Sequence, residues 1–269
     1  MNKLPNYFVI SFIYLTSRWR SIFIWSLCMF LLALMFTGLH ETFAGEIDSM
    51  AKNAPAAMEA VWGGNLEFAS TPEGWLGLEL YSLILPIVLC IIGVAAGASM
   101  IGSEEDSGTL ELLLASPIGR TALISQKFAA ASIQIFIVAI IVWVGISIGT
   151  FIFNFDVSLT NVFSATIMAF LIGLIACSIT LLAQSYTGNK SLAISAGSIF
   201  IAASYVADIL SKLLDSLTWL KWVSSFHYYS GSEVLLNGVN FPYFFGMLIS
   251  CTVIFLLATK GFNQRDTGT

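Results

Sequence analysis

Few side chains in this sequence could bind a metal or act as a nucleophile. Two histidines, His40 and His227, could share a metal ion, but two ligands without a third make a poor site. The cysteines are spread along the chain, which favours small packing residues over a disulfide framework or metal site: Cys28, Cys90, Cys177 and Cys251. No nucleophile-elbow or metalloprotease pattern is present. We therefore predict no catalytic, metal or cofactor-binding residue.

One stretch superficially resembles the end of a phosphate-binding loop, Thr187-Gly188-Asn189-Lys190-Ser191. That loop requires a glycine directly before the lysine and another five positions earlier, because backbone amides must surround the phosphate. Here those positions hold Asn189 and Gln184. We predict that the chain does not bind ATP in this way.

The elements that carry these residues are apolar helices long enough to cross a bilayer. The sequence is 57% hydrophobic and 10% charged, whereas soluble domains carry about 25% charged residues. Continuous apolar runs exclude a barrel, whose strands alternate in polarity. We predict an all-α membrane protein, a single domain over residues 1–269, with six transmembrane helices: Ile22–Leu39, Leu80–Ile101, Phe128–Phe155, Val157–Gln184, Ser191–Ala207 and Pro242–Thr259.

The positions of lysine and arginine predict that both termini are cytoplasmic. With the N-terminus inside, eight of these residues lie in cytoplasmic segments and three, Lys52, Lys212 and Lys221, lie outside. The eight are Lys3, Arg18, Arg20, Arg120, Lys127, Lys190, Lys260 and Arg265. The predicted location is the cytoplasmic membrane, and the lack of a basic patch argues against a nucleic-acid partner.

Three polar regions flank the spans. Residues 1–21 are amphipathic and aromatic and end in Arg18-Trp19-Arg20, which favours an interfacial helix; the alternative is a simple extension of the first span. Residues 40–79 are predicted to form an acidic external segment without a span. Residues 208–241 are amphipathic and aromatic, which predicts one or two short re-entrant helices in the outer leaflet; the alternative is an ordinary external helix.

The spans themselves hold almost no charge. Asp156 and Asp208 lie at predicted span ends, so a proton-driven transporter with a carboxylate at mid-membrane is disfavoured. Two pairs of glycines stand at GxxxG spacing, Gly93 with Gly97 and Gly145 with Gly149. This spacing allows close helix packing in lipid, although each match is weak because the pattern is common in apolar sequence.

The polar stretch Gly102–Arg120 lies between the second and third predicted spans. Ser103 is a candidate helix cap, and the acidic run Glu104-Glu105-Asp106 suits the positive end of a helix. Ser116-Pro117 ends the predicted helix. Leu110, Leu113 and Leu114 give it an apolar face with Glu111 on another side. We therefore predict a short cytosolic helix whose leucines need a partner groove.

Several motifs resemble those of ABC type 2 permeases. Residues 104–120 are similar to the family signature E-x-x-x-G-T-L-E-x-L-L-x-x-P-[IV]-x-R, matching at Glu104, Gly108, Thr109, Leu110, Glu111, Leu113, Leu114, Pro117, Ile118 and Arg120. Pro72-Glu73-Gly74 before a span containing Pro86, and the closing Phe262-Asn263-Gln264-Arg265-Asp266, are similar to the same family. With six spans, the resemblance covers essentially the whole chain.

The resemblance implies a permease that pairs with a second permease subunit and two separate ATPase subunits, which bind ATP and Mg. It implies that residues 102–120, including Glu105, form a coupling helix in a cleft of the ATPase, and that the second and fifth spans line the transport path. It implies export of an amphipathic cargo such as a drug, peptide or lipid. The alternatives are a non-transporting anchor or sensor that recruits an ATPase and, less in keeping with the sequence, a membrane-embedded enzyme.

Overall fold

The computed structural model describes residues 9–51, 70–109 and 119–265 of the chain. Within these ranges the regular elements are helices, and the six predicted spans are confirmed as long apolar helices. Their observed bounds are Trp19–Phe43, Pro72–Asp106, Arg120–Phe153, Leu159–Thr187, Lys190–Leu213 and Phe241–Gln264, numbered spans 1 to 6 below.

Spans 2 and 4 form the centre of the bundle. In their most apolar stretches 72% and 78% of residues are buried, against 17–39% in the other four spans. The helices approach closely because glycine faces glycine: a Cβ atom added to Gly93 would overlap the carbonyl oxygen of Gly173. One turn later, a Cβ atom on Gly97 would lie 2.9 Å from the Cβ atom of Thr180.

The second GxxxG pair packs span 3 against span 1. A Cβ atom on Gly145 would lie 2.9 Å from that of Ala33, and one on Gly149 would lie 2.7 Å from that of Thr37. Both pairs therefore serve contacts within this chain, as expected for small residues in helices that pack in lipid.

Span 2 begins earlier than the sequence suggested. Thr71 caps its first turn by accepting a hydrogen bond from the Gly74 amide at 3.1 Å, and Pro72 stands at the first helical position, where its missing N–H costs nothing. The helix continues through a π-helical segment, Gly77–Ile84, into Leu85–Asp106. Assigning residues 72–79 to an external segment without a span was therefore wrong. The helix that contains span 1 also continues to Ala51.

A separate helix, Val9–Ser17, precedes span 1. The chain turns at Arg18 before the helix Trp19–Ala51 begins. The Ser11 hydroxyl donates a hydrogen bond to the Gln126 carbonyl of span 3 at 2.7 Å, which fixes the short helix against the bundle. The alternative of a continuous extension of span 1 is thus not observed for residues 9–17.

Between spans 5 and 6 the chain forms three short helical pieces: the 3₁₀ segment Asp215–Trp222 and the helices Ser225–Tyr229 and Gly231–Asn237. Ser224 caps the second piece and joins it to span 5 by donating to the Ser204 carbonyl at 2.7 Å. Residues 208–213 are the last turns of span 5 itself. Asp208 therefore lies in the last turns of the span-5 helix rather than directly after it, and is 6% exposed.

Candidate functional site

Glu104, Glu105 and Asp106 form the last residues of the span-2 helix, which ends at Ser107 and the left-handed Gly108 (φ 67°). Placing a helix start at Ser103 was wrong, because the helix comes from the membrane side and stops there. Unpaired carbonyl groups give a helix C-terminus a partial negative charge, so carboxylates are unfavourable at this position. These three acids therefore need cationic partners from elsewhere in the chain.

Each acid has a cation supplied by a different part of the bundle. Glu104 forms an ion pair with Lys127 of span 3, and Lys127 also donates to the Met100 carbonyl at 2.6 Å. Glu105 pairs with Arg265, directly after span 6. Asp106 pairs with Lys190 at the start of span 5, 3.5 Å away. These ion pairs lie at the end of the bundle that also carries Arg18, Arg120 and Arg265, and we call it the arginine end.

The pairs differ in strength because they differ in burial. The Lys127 side chain is 4% exposed and the Glu104 side chain 22%, whereas Lys190 and Asp106 are 36% and 62% exposed. Water screens the latter pair, and exposed ion pairs contribute about 0–1 kcal/mol. The Glu104 and Glu105 pairs are the ones that fix the end of span 2.

Arg265 has several partners in this cluster. Besides Glu105, it donates to the Gln184 carbonyl at 2.9 Å, while the Gln184 amide donates to Glu105 at 2.7 Å. Burial lowers the pKa of the Arg265 guanidinium below its usual range, yet arginine stays charged at neutral pH. Gly188, left-handed at φ 64°, leaves room for the guanidinium, which would lie 2.9 Å from a Cβ atom there.

Arg120, the first residue of span 3, also belongs to this cluster. Its guanidinium donates to the Arg265 carbonyl at 2.8 Å and lies 5.8 Å from the centre of the Phe262 ring. Asn263 donates to the Thr121 hydroxyl at 3.0 Å. The start of span 3 is thus joined to the end of span 6, next to the end of span 2.

Arg18, which lies between the short helix Val9–Ser17 and span 1, is also at the arginine end. It donates to the Ser99 hydroxyl of span 2 and lies 4.6 Å from the centre of the Tyr14 ring. Burial raises the pKa of Tyr14 to about 12, against the lowering effect of Arg18, so its hydroxyl stays protonated at neutral pH. Trp19 and Arg20 point outward instead, with Trp19 59% exposed. Of the three predicted interfacial residues, only Arg18 contacts the core.

The structure brings together Glu104, Glu105 and Arg120 of the predicted site, and Gly108 and Thr109 follow shortly after the end of the span-2 helix. The Thr109 amide donates to the Glu104 carbonyl at 2.9 Å. The remaining predicted residues lie outside the described residues: Leu110, Glu111, Leu113, Leu114 and Pro117. Sequence reasoning missed Lys127, Gln184 and Lys190 as members of the cluster. Their shared signal is that each is a polar residue near the end of an otherwise apolar run.

The two histidines lie in different surroundings. His40 hydrogen-bonds to the Ser70 carbonyl at 3.1 Å, and His227 lies beside the Tyr228 and Tyr243 rings. Among the described residues, no group of three potential ligands could hold a metal ion. The four cysteines are free, and three of them are buried.

Six long apolar helices joined at one end by a polar cluster define a multi-pass membrane protein. The family model of the ABC-2 family transporter protein matches residues 15–267, nearly the whole chain. The chain belongs to this family and is a membrane permease component. A search of the curated proteins found no match.

Proposed function

We propose that this chain is the transmembrane permease subunit of an ATP-binding cassette transporter that exports an amphipathic cargo. Hydrolysis takes place in a separate ATPase subunit, present in two copies, which holds ATP and Mg. A second permease subunit, identical or related, completes the pore. The distribution of lysine and arginine supports a cytoplasmic arginine end and cytoplasmic termini in the cytoplasmic membrane.

Coupling is assigned to the segment between spans 2 and 3, residues 102–120. The observation that supports this proposal is that the start of the segment, residues 104–106, is bound to four other parts of the bundle. Glu104 binds span 3, Glu105 binds Gln184 of span 4 and Arg265 after span 6, and Asp106 binds span 5. A movement of the segment would therefore displace these helices together, as a lever requires.

The transport path is assigned to the face between spans 2 and 5. A groove of about 480 Å³ lies there, lined almost entirely by apolar side chains such as Ile87, Ile91 and Ile201. This volume falls within the roughly 300–1,000 Å³ of typical small-molecule sites. An apolar groove favours an amphipathic cargo over a simple ion.

The proposal is tested by purifying the tagged chain in mild detergent, identifying bound proteins by mass spectrometry and measuring ATPase activity. We expect a soluble ATP-binding subunit to copurify. Leu113→Asp should abolish its recovery, while the apolar control Leu113→Met should retain it. Normal recovery and ATP-driven transport with Leu113→Asp would contradict the assignment of the segment.

The same preparation separates a transporter from a non-transporting anchor. Reconstituted in vesicles, a transporter should show nucleotide hydrolysis stimulated by a particular amphipathic compound and movement of that compound across the membrane. Recovery of the ATPase with neither property, over a broad panel of amphiphiles, would favour the anchor.

A further inference from the structure

A polar cavity of about 320 Å³ lies at the end of the bundle opposite the arginine end. Its wall is formed by the last turns of span 5, the 3₁₀ segment and the two short helices that follow. Four charged residues contribute to it: Asp208, Glu233, Lys212 and Lys221. The two carboxylates and two ammonium groups give the wall both signs of charge and no formal excess of either.

Two buried polar atoms of this cavity lack a partner within the part of the chain that the structure describes. The Asp208 side chain is 8% exposed; its Oδ2 accepts a hydrogen bond from Lys212 at 2.7 Å, whereas Oδ1 accepts none. The hydroxyl of Tyr205, one turn earlier on span 5, also has no partner. Buried polar groups in native proteins are nearly always hydrogen-bonded, because leaving one unpaired is costly. Both residues line the cavity, and a ligand there that brings a donor would satisfy the Asp208 carboxylate.

The cavity adjoins the apolar groove between spans 2 and 5. Tyr205 and Phe226 line both spaces, so the polar and apolar walls meet at these two side chains. Their rings lie 5.1 Å apart at the boundary. A molecule that fills both spaces must have a polar head and an apolar tail.

We propose that the cavity binds the headgroup of a zwitterionic phospholipid with a primary ammonium group, that is, a phosphoethanolamine headgroup. The ammonium pairs with the carboxylates of the wall, Asp208 and Glu233, the phosphate faces Lys221, and the acyl chain lies in the groove. This assignment rests on the proposed transport function and names its substrate class.

The test uses the full chain in nanodiscs of phosphatidylglycerol, titrated with three lysolipids of equal chain length. Lysophosphatidylethanolamine carries both charges and N–H donors, lysophosphatidylcholine has the charges without donors, and lysophosphatidylglycerol lacks the cation. Only the ethanolamine ammonium can donate a hydrogen bond to a carboxylate, and hydrogen bonds between charged groups are the strong ones. We therefore expect the ethanolamine lipid to bind at least about tenfold more tightly than the choline lipid. Equal affinities would overturn the proposal.

Two substitutions locate the preference. Asp208→Asn should remove the difference between the ethanolamine and choline lipids, while Asp215→Asn, an exposed carboxylate of the 3₁₀ segment, should leave it intact. A preference that survives Asp208→Asn would contradict the site. If Asp208→Asn does not fold, Lys221→Gln serves instead: it should weaken both lipids equally, and unchanged affinities would overturn the phosphate contact.

The outcome is independent of the test for the permease assignment. Lipid binding is measured on this chain without the ATPase, and recovery of the ATPase requires no lipid. Failure of the lipid preference with normal ATPase recovery would reject only the substrate class. Failure of ATPase recovery would reject the coupling assignment.

Discussion

The Tyr229 hydroxyl donates a hydrogen bond to the Tyr81 backbone carbonyl at 2.5 Å, in the buried interior of the bundle. This carbonyl lies in the π-helical segment of span 2, where the Leu85 amide bonds to the Leu80 carbonyl. The next residue, Pro86, has no N–H to offer Tyr81. A backbone carbonyl in a membrane interior needs a donor, and the Tyr229 side chain supplies it from another helix.

Replacing Tyr229 with phenylalanine should therefore lower stability by about 1–3 kcal/mol, the cost of a buried unpaired group. Thermal unfolding in detergent measures this loss. Tyr228→Phe is the matched control, because the Tyr228 hydroxyl bonds to the Trp222 carbonyl in an exposed position. Pro86→Ala restores an amide near Tyr81, so the double variant should lose less than Tyr229→Phe alone. Additive losses would contradict this account.

The Glu105–Arg265 pair should be worth more than the Asp106–Lys190 pair. The Glu105 and Arg265 side chains are 16% and 19% exposed, and removing one member of a buried pair costs about 3 kcal/mol or more. Glu105→Gln and Arg265→Gln should each destabilise the protein and reduce ATP-driven transport. The double variant should be less destabilised than the sum of the two. Asp106→Asn should change the unfolding free energy by less than about 1 kcal/mol.

Close packing of spans 2 and 4 predicts that Gly97→Ala is strongly destabilising. The added methyl group would overlap Cys177 and Thr180, and overpacking of this kind costs about 1–3 kcal/mol. Gly246→Ala in span 6 is the control, since nothing lies within 4 Å of a Cβ atom there. Measured thermal stabilities should separate the two variants clearly, and equal effects would rule out the packing argument.

His227 should make stability depend on pH. Burial lowers the pKa of its imidazole, and nearby Lys221 and Lys212 act in the same direction, while Asp208 and Glu233 oppose them. The folded state therefore holds the neutral form, and the unfolded state takes up a proton near its ordinary pKa of about 6.5. Stability contributed by neutral His227 should be complete above this value and decline as the pH falls below it. Unfolding temperatures between pH 7.5 and 5.5 should fall more steeply for the native chain than for His227→Gln.

The sequence predicted the number of spans and the class of fold because apolar length alone determines which helices cross a bilayer. It failed at helix ends, where polar residues continue the helix. Residues 40–79 were predicted to lie outside the spans, yet a capping threonine before proline starts a helix at Thr71-Pro72. Local rules cannot choose between an external segment and a helix start without knowing what the next turn packs against.

The acidic run Glu104-Glu105-Asp106 shows the same limit at the candidate site. The helix dipole favours such residues at an N-terminus, so the local rule predicted a helix start. The structure has them at a C-terminus because Lys127, Arg265 and Lys190 neutralise them. These partners are distant in sequence, and no periodic pattern connects them to residues 104–106.

Both GxxxG pairs are occupied by contacts inside the chain, and this affects how loss of function should be interpreted. The outward faces of spans 1, 5 and 6 carry large side chains, including Leu31, Ile199 and Leu256. A neighbouring subunit would meet these bulky groups rather than the paired glycines. Mutations at Gly93, Gly97, Gly145 or Gly149 should thus appear as misfolded, rapidly degraded monomers. They would be a poor guide to the oligomeric interface, where many conservative exchanges among Leu, Ile and Phe should be tolerated.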